Sequence, residues 1–593
     1  MSFTRRDFLK GATFTAAGVA MTGILGGCSS AGTANTPATP AADSATNTAP
    51  AKSTTWYDEA YFQKPAPIAD IAEKIDVDVV VVGAGNGGCI AAVSAADLGG
   101  KVAWVEQNAG TITWAGEIAA LNSKVAKEKF GVSYSEEEKN MIVNDICRYA
   151  SYEVDQRLVK LWADHSGRTM DWFVDKMEAK GIHMFLETDT YKSNVYTVLP
   201  VTHTVYKGEF IELGPNQMGS QLANPAWVEY AEEMGVKKLF EHTAQQLVQD
   251  SGGKVTGIIV QRKSDKAYIQ INAAKGVILS TGGYSGNTAM MDALRFRGKD
   301  FVANNLGGDG HNGDGIKMAL WAGAAIDRNQ CGNAFNRAAI DLDHHVGEPF
   351  TSGLNDIWWP GSQPWLKVNT RGERFMNEDG PYDFQIYGGV SQPGKFWFQI
   401  FDSNYWDDVQ AFHTTICSRV VAAKGARNSE VLPGVFPAKS KEEFDGAFMA
   451  AALKSGKLKK ADTLEDLASQ LGIPVGAFAE TVKRYNQNAK NGFDADFGKN
   501  PAKVRPVAKA PFYGIAVGSW LLCTFNGIKI NTNLQAVNEK GDPIEGLYIT
   551  GNDSGGFFAN SYPEYYGGLA HGRTTCFARL AALHAVTGSI YES

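Results

Sequence analysis

Residues 76–88 read DVDVVVVGAGNGG, and this stretch decides how the rest of the 593-residue chain is interpreted. The four consecutive valines predict a strand buried on both faces, as in the centre of a parallel sheet. The strand runs directly into a GxGxxG loop, and the small residues from Cys89 to Leu98 predict the helix that follows. A strand, a glycine loop and a helix in this order predict an α/β, Rossmann-like dinucleotide-binding fold.

The loop also predicts how a dinucleotide is held. Gly85 lets the backbone approach a pyrophosphate, and the unpaired N–H groups at the start of the helix face the same phosphates. A second apolar strand over residues 101–105 ends in Glu106, which is spaced to bind the adenosine ribose. The residues predicted to bind the dinucleotide here are Gly83, Gly85, Gly87, Gly88 and Glu106.

The first 74 residues predict an export signal and a tether rather than a folded domain. Residues 1–28 combine the pair Arg5-Arg6, a weakly apolar stretch and a lipobox-like Cys28. This pattern is typical of a twin-arginine lipoprotein signal, so we expect export of the folded protein and lipid anchoring at Cys28 on the outer side of the cell membrane. Residues 29–74 begin with an Ala/Thr/Ser/Pro-rich stretch, and we expect a flexible tether.

Charge and cysteine spacing exclude other classes of function. The net charge of −8 argues against a nucleic-acid partner. The seven cysteines form neither a CxxC pair nor a CxxCH haem motif, which favours isolated buried thiols and predicts no metal site. Their local spacing does not support an iron–sulfur cluster, although a cluster assembled from distant cysteines stays open.

Three later segments extend the pattern of the first strand and loop. Residues 275–284 (KGVILSTGGY), 313–315 (GDG) and 546–552 (GLYITGN) are followed by a glycine pair, Gly567-Gly568, that opens the last predicted helix. In this order the motifs resemble the flavoprotein superfamily of fumarate reductases, succinate dehydrogenases and 3-ketosteroid dehydrogenases.

The resemblance implies a glutathione-reductase-like FAD-binding domain and an inserted α+β capping domain. It places the FAD-binding domain at residues 75–338 and 522–593, and the capping and substrate domain at residues 339–521. FAD is expected to be non-covalent, because residues 111–122 contain no histidine to which it could be attached. The further FAD-binding residues implied by the family are Gly116, Gly282, Asp314, Asn552, Gly568 and Leu569.

The substrate site departs from that of fumarate reductases, which hold two carboxylates with histidines and arginines. Tyr382 stands where the family has a proton-donating arginine, and leucine (Leu522) stands where its substrate histidine is expected. Tyr565 and Tyr566 precede the final glycine pair in place of a clamp arginine, and residues 358–361 contain no proton-relay charges. Fumarate is therefore a poor candidate substrate.

Two segments are instead similar to 3-ketosteroid dehydrogenases. Residues 377–382 (NEDGPY) and 560–563 (NSYP) match the family's NExxPY and SYP segments. The resemblance implies that Tyr382 exchanges a proton and that Tyr562 polarises a carbonyl. The residues predicted to line the substrate pocket are Tyr565, Trp358 and Asn333, with Trp359, Phe557, Phe558, Tyr566 and His311 as further candidates.

These features predict an exported FAD-dependent reductase that transfers hydride to the C=C bond of an α,β-unsaturated carbonyl or lactone, cardenolide- or steroid-like. Since no NADH is available outside the membrane, we expect a membrane-bound cytochrome or quinol-linked electron donor and a small-molecule acceptor. Two alternatives stay open. One is a steroid-type dehydrogenase or another enone, cinnamate or fumarate-like reductase. The other is a non-catalytic exported flavin-binding electron carrier or sensor.

Overall fold

The structure is a computed structural model that describes residues 55–592, except 114–115, 189, 208–221, 301, 306, 308–309, 344–345, 348–356, 413, 416–417, 422–437 and 439. The predicted signal, Cys28 and residues 29–54 of the predicted tether lie outside the described residues. The helices within the described ranges are all too short or too polar to cross a membrane.

The packed body begins at Thr55, before the predicted end of the tether at residue 74. Phe62 is buried, and the indole N–H of Trp321 donates to its carbonyl oxygen over 2.9 Å. The hydroxyl of Tyr61 donates to Asn287 Oδ1 over 3.3 Å. These aromatic side chains fix residues 55–62 on the body because they bury apolar surface that the Ala/Ser/Thr-rich stretch before them lacks.

The described residues form nineteen strands, which we number in chain order. They are β1 (Glu73–Val82), β2 (Val102–Glu106), β3 (Glu117–Ala119), β4 (His183–Leu186), β5 (Tyr191–Lys192), β6 (Thr197–Val198), β7 (Thr202–Tyr206), β8 (Lys237–Phe240), β9 (His242–Gln249), β10 (Val255–Arg262), β11 (Tyr268–Leu279), β12 (Val302–Asn305), β13 (Gly332–Ala339), β14 (Leu366–Val368), β15 (Trp397–Phe401), β16 (Leu458–Ala461), β17 (Phe512–Thr524), β18 (Gln535–Val537) and β19 (Pro543–Ile549).

The α-helices of the same ranges are numbered likewise. They are α1 (Asn86–Asp97), α2 (Glu136–Tyr149), α3 (Gln156–Glu178), α4 (Ala223–Glu233), α5 (Thr288–Ala293), α6 (Asp314–Trp321), α7 (Tyr382–Val390), α8 (Tyr405–Ala411), α9 (Lys441–Phe444), α10 (Ala450–Lys454), α11 (Leu464–Leu471), α12 (Val475–Asn491) and α13 (Leu569–Thr587).

The first sheet is the dinucleotide-binding sheet that the sequence predicts. Its order is β18-β19-β11-β1-β2-β8, with β10 and β9 joined to β11 as an antiparallel meander. The strands predicted from residues 76–82, 101–105, 275–280 and 546–549 are all present, and they pair in parallel. Val79, Val80 and Val81 are fully buried because helices cover both faces of a parallel sheet. The carboxyl ends of the parallel strands meet at one edge of the sheet, where ligands bind in such folds.

The second sheet has six strands around β17, in the order β12-β17-β15-β14, with β13 and β16 also paired to β17. It takes its first strand at Val302, so it begins earlier in the chain than the boundary predicted at residue 339. The two helices predicted near residues 463–490 are α11 and α12. Thr463 caps α11 by accepting from Asp466 N, and α12 ends at the left-handed Gly492.

Candidate active site

The glycine loop lies between β1 and α1 and packs too tightly for side chains. Gly83 has φ +103°, and a Cβ atom on it would lie 2.2 Å from the carbonyl oxygen of Ser280. A Cβ on Gly88 would lie 1.9 Å from the carbonyl oxygen of Gly83, so only glycine lets α1 approach the strand. Gly85 differs, because its nearest neighbour would be Ile112 O at 3.5 Å. Its open side is where the backbone can approach a phosphate.

Glu106 ends β2 beside this loop, as predicted. Its Oε2 atom accepts from Ala84 N over 2.7 Å, and its Oε1 atom accepts from Asn108 N over 2.8 Å. Two backbone donors therefore fix the carboxylate at the rim of the loop. It is placed to accept from a ribose hydroxyl.

A cavity of about 280 Å³ opens at this edge of the sheet. Its lining comes from β1, β2, β9 and two of the three later segments, residues 275–284 and 313–315, and includes Gly83, Gly85, Glu106, Gly282, His311 and Asp314. The cavity, the open face of Gly85 and the oriented carboxylate fit the adenosine diphosphate half of FAD. His311 was predicted at the substrate pocket, but the structure places it in this cofactor cavity, where burial lowers the pKa of its imidazole.

Asp553 connects the later motifs through hydrogen bonds of its carboxylate, and the sequence alone did not reveal this residue. Its carboxylate is fully buried, accepts from Gly283 N over 3.0 Å and from Thr281 Oγ1 over 2.8 Å, and also accepts from Thr281 N. Thr281 Oγ1 in turn accepts from Gly315 N over 3.1 Å. Burial raises the pKa of Asp553. Its position directly after Asn552, at the end of β19, was the available signal.

The start of α13 packs against β3, the strand that follows Gly116. Gly568 is left-handed with φ +79°, and its carbonyl oxygen accepts from Ala119 N over 3.0 Å. A Cβ on Gly568 would lie 2.5 Å from the Glu117 backbone, so the helix end and β3 are in direct contact. The structure thus places the predicted cofactor residues Gly568 and Leu569 at a helix N-terminus, where the backbone dipole favours negative charge, against the strand that follows the predicted Gly116.

Arg573, one turn into α13, is a second residue that the sequence did not reveal. It is fully buried, and its Nη1 donates to Ser554 Oγ over 2.9 Å while Nη2 donates to the predicted Asn552 over 3.4 Å. Burial lowers the pKa of this guanidinium to about 10. It brings positive charge to the buried region between Asn552 and Tyr562.

Tyr562 lies beside the same helix end. Its hydroxyl accepts from Ala570 N over 3.2 Å, and its side chain is 3 % exposed. Accepting a backbone N–H at the positive end of a helix polarises the phenol. The hydroxyl oxygen can use its own hydrogen to donate onward.

Tyr382 is the first residue of α7 and is also buried. Its hydroxyl donates to Asn333 Oδ1 over 3.5 Å, and its ring packs edge-on against Phe335 with centroids 5.0 Å apart. Asn333 belongs to β13, opposite Cys523 of β17. The structure therefore brings Tyr382 and Asn333 together, as the sequence analysis anticipated for one pocket.

Tyr565 and Tyr566 share one acceptor. Their hydroxyls donate to Asp145 Oδ2 over 2.7 and 3.0 Å, and burial together with this carboxylate raises the pKa of both phenols. Tyr566 also lines a groove of about 430 Å³ between α2 and the hairpin of β5 and β6. The lining of the groove mixes apolar side chains, among them Met141 and Tyr196, with the charged side chains of Glu138, Asp145 and Arg148.

Trp358, which was predicted to line the substrate pocket, lies in the core of the second sheet. Its indole N–H donates to Gln399 Oε1 over 2.7 Å, and its ring lies over Phe401 in the core of the second sheet. Its only hydrogen-bond donor is therefore used within the core. Trp359 instead packs on Arg337, whose guanidinium lies 4.8 Å from its ring centroid.

Within the described ranges no group of three or more His, Cys, Asp or Glu side chains is arranged to hold a metal ion. The cysteines described there, Cys89, Cys147, Cys331, Cys523 and Cys576, are buried free thiols. Burial raises the pKa of Cys89 and Cys523, which keeps these thiols protonated.

Residues 78–564 match the sequence family described as the FAD binding domain family. The chain belongs to this family, and it is an FAD-dependent oxidoreductase acting on carbon–carbon bonds of the CH–CH type. It is similar to the vinyl phenol reductase of Lactiplantibacillus plantarum, with 28% identity over 87% of this chain and 97% of that protein. It is also similar to the digoxin reductase of Eggerthella lenta, with 26% identity over 93% and 92% of the two chains.

The fold is shared with solved flavoproteins. The 3-ketosteroid Δ1-dehydrogenase of Sterolibacterium denitrificans superposes with a TM-score of 0.64, covering 87% of this chain and 100% of that chain at 18% identity. This likeness supports the predicted fold class, an FAD-binding domain with a second α+β unit.

Proposed function

We propose that the protein reduces a C=C bond conjugated to a carbonyl or lactone of a flat, largely apolar, cardenolide- or steroid-like molecule. The observation that carries this proposal is the Tyr562 hydroxyl, which accepts from Ala570 N at the start of α13. When bound, FAD supplies the hydride to such a reaction. A conjugated alkene accepts hydride only if the negative charge that develops on its carbonyl oxygen is stabilised. A phenol polarised by a helix end can provide that stabilisation by donating a hydrogen bond.

Tyr382 supplies the second function in this proposal. Its hydroxyl delivers the proton to the α-carbon, while the nearby Asn333 amide orients the phenol through the 3.5 Å contact. Phe335 packs against the ring and keeps the Tyr382 side chain in one orientation. Hydroxyl and aromatic groups thus occupy the places where the related fumarate reductases were expected to have cations, and this favours an uncharged substrate.

The groove beside Tyr566 supports a large substrate. Its volume of about 430 Å³ is enough for a ring system, and its mixed lining offers apolar contacts at Met141 and Tyr196 and charged groups at Glu138 and Arg148. The digoxin reductase and the vinyl phenol reductase both bear names that fit reduction of a conjugated C=C bond, so a hydroxystyrene is a second candidate substrate.

We further propose that the protein works outside the cytoplasmic membrane, anchored at Cys28 and supplied with electrons by a membrane-bound cytochrome or a quinol-linked protein. The pair Arg5-Arg6 and the lipobox-like Cys28 support this location. A cytoplasmic nicotinamide donor would not reach an enzyme there.

The test is anaerobic reoxidation of the chemically reduced, FAD-loaded protein. The acceptors are a cardenolide lactone, a 3-ketosteroid enone, a 4-hydroxystyrene, a cinnamate and fumarate. We expect rapid return of the oxidised flavin spectrum with the lactone or the enone, and none with fumarate. Reoxidation by fumarate alone would contradict the proposal, and failure with every alkene would favour the flavin-binding carrier or sensor. Electron transfer in the opposite direction, from a saturated ketosteroid to the oxidised flavin, would favour the steroid-type dehydrogenase.

A further inference from the structure

Arg573 of α13 is a buried cation without a carboxylate partner among the residues that the structure describes. The residue is fully buried, and no Asp or Glu oxygen of the described ranges lies within 4 Å of its guanidinium nitrogens. Nη1 donates to Ser554 O and Oγ over 3.2 and 2.9 Å, Nη2 donates to Asn552 Oδ1 over 3.4 Å, and Nε has no hydrogen-bond partner in these ranges. A buried charge is costly unless a charge of opposite sign lies near it, so this guanidinium is suited to stabilise a negative group.

The guanidinium lies close to the helix end that is predicted to bind FAD. Side chains of a helix lean toward its N-terminus, so Arg573 lies over the turn that begins at Leu569. Its contact with Asn552 agrees with this direction, because Asn552 and Leu569 are both predicted FAD-binding residues. The ring centroids of Phe557 and Phe558 lie 5.9 and 5.3 Å from the guanidinium carbon. Since the group is buried beside these apolar rings, its charge acts on its surroundings with little screening by water.

We propose that Arg573 stabilises the negative charge that FAD acquires on reduction, and that it thereby sets how readily the bound flavin accepts electrons. This inference rests on the proposed function, because it places the flavin ring at the start of α13. The positive end of the α13 dipole acts on the same ring, and protein charges near a flavin tune its reduction. Both Nη atoms of Arg573 are used by Ser554 and Asn552, so we expect Arg573 to act on the flavin through its charge.

Arg573 keeps its charge at neutral pH. Burial lowers the pKa of its guanidinium only to about 10. The other titratable groups near it or near the start of α13 are Asp553, Cys331, Cys523, Tyr562, Glu117, His571 and Arg337. Burial raises the pKa of Asp553 and of Glu117 and lowers that of His571 to about 4, which favours the uncharged form of each group. This weakens the ability of the two carboxyl groups to neutralise Arg573.

The test is the anaerobic redox equilibrium between the FAD-loaded protein and a reference dye, whose reduced form supplies the electrons. Arg573→Gln keeps a hydrogen-bond donor but loses the charge, so we expect the equilibrium constant for flavin reduction to fall about ten- to a hundredfold. Arg573→Lys keeps the charge and should stay within about threefold of the wild-type value. The dissociation constant of oxidised FAD, whose flavin ring is uncharged, should change by less than about threefold in both variants. A merely structural role would weaken the binding of oxidised FAD and leave the redox equilibrium unchanged.

The pH dependence of the same equilibrium is a second measurement, and it can be made on the wild-type protein. Reduction by two electrons takes up either one proton, which leaves the flavin ring negatively charged, or two protons, which leave it neutral. Each proton taken up changes the equilibrium constant about tenfold per pH unit. After correction for the protons of the dye, we expect about a tenfold change per pH unit in the wild type from about pH 5.5 to 8. Arg573→Gln should approach a hundredfold change per unit at the acidic end of this range.

Arg579→Gln is the matched control. Arg579 is a buried arginine of the same helix, but it lies farther from the helix start, pairs with Glu592, and has its guanidinium carbon 4.2 Å from the ring centroid of Trp172. Its variant should keep the wild-type redox equilibrium and pH dependence. If Arg573→Gln kept the wild-type equilibrium constant, or if the wild type took up two protons over the whole pH range, the proposal would be overturned.

Failure of the proposed function is separable from failure of this inference. If no alkene reoxidised the reduced protein, the proposed reaction would be wrong, but the dye equilibrium would still measure the effect of Arg573 because it needs no alkene. If Arg573→Gln does not fold, Arg573→Met takes its place, since it removes the charge and fills the buried space with an apolar chain. If neither variant folds, the number of protons taken up by the wild type decides the question.

Discussion

Removing the carboxylate of Asp553 should destabilise the protein more than removing any exposed turn carboxylate. Asp553 accepts from the backbone N–H groups of Thr281 and Gly283 and from the Thr281 hydroxyl; Asp553 and Gly283 are buried and Thr281 is half-buried. Asp553→Ala would leave two backbone donors without a partner. At about 1–3 kcal/mol for each buried unsatisfied donor, the free energy of unfolding should fall by about 2–6 kcal/mol.

A loss of that size is a large fraction of the total stability of an ordinary domain. The Thr281–Gly283 turn also lines the cofactor cavity, so FAD should bind more weakly in the variant. We would measure urea unfolding of the FAD-loaded protein, following tryptophan fluorescence and flavin release together.

Asp250→Ala is the matched control, because Asp250 also accepts from two backbone N–H groups, of Gly252 and Lys254, over 2.9 and 3.0 Å. This turn is exposed, so water can replace the carboxylate, and the expected loss is only about 0.5 kcal/mol. Equal losses in the two variants would refute the reasoning from burial.

Three further predictions concern the cofactor, the reaction and pH. Gly88→Ala should reduce FAD occupancy in purified protein, measured by flavin absorbance, because a Cβ there would lie 1.9 Å from the Gly83 carbonyl oxygen; unchanged occupancy would contradict the tight packing of the loop. Tyr382→Phe should lower kcat by about two to four powers of ten while FAD stays bound, the usual scale for a general acid, and near wild-type turnover would exclude that role. Burial raises the pKa of Asp408 to about 7, so wild-type stability should fall relative to Asp408→Asn as the pH rises from about 4 to 7; urea midpoints that do not diverge over this range would disprove it.

The local sequence was sufficient to predict the strand, the glycine loop and the helix of the dinucleotide-binding fold. The valine strand, the glycine loop and Glu106 are contiguous or nearly so, and each requires a residue type that a reader of the sequence can recognise. The same holds for α11 and α12, whose limits follow from Thr463 and Gly492 at their ends. Such predictions succeed because backbone conformation at a turn or a helix end depends on the residues nearby.

The surroundings of the residues predicted for the substrate pocket depend instead on contacts between distant segments of the chain. Trp358 stands beside Trp359 in the sequence, yet its indole N–H is used by Gln399 in the core of the second sheet, and no local pattern separates a core tryptophan from a pocket one. Residues 55–62 precede the first strand and read as the end of a tether, but their aromatic side chains pack on the folded body.

Residue patterns alone were enough to predict the class of the protein: an α/β flavoprotein with a dinucleotide loop and two tyrosines that are similar to those of steroid dehydrogenases. Only the tertiary structure showed that Asp553 holds the turn at Thr281 and that Asp383, next to Tyr382, accepts from the backbone N–H of Tyr562. The physical reason is that a buried carboxyl group must find donors wherever the fold supplies them. Its partners here lie about 180 to 270 residues away in the chain, beyond the reach of any sequence motif.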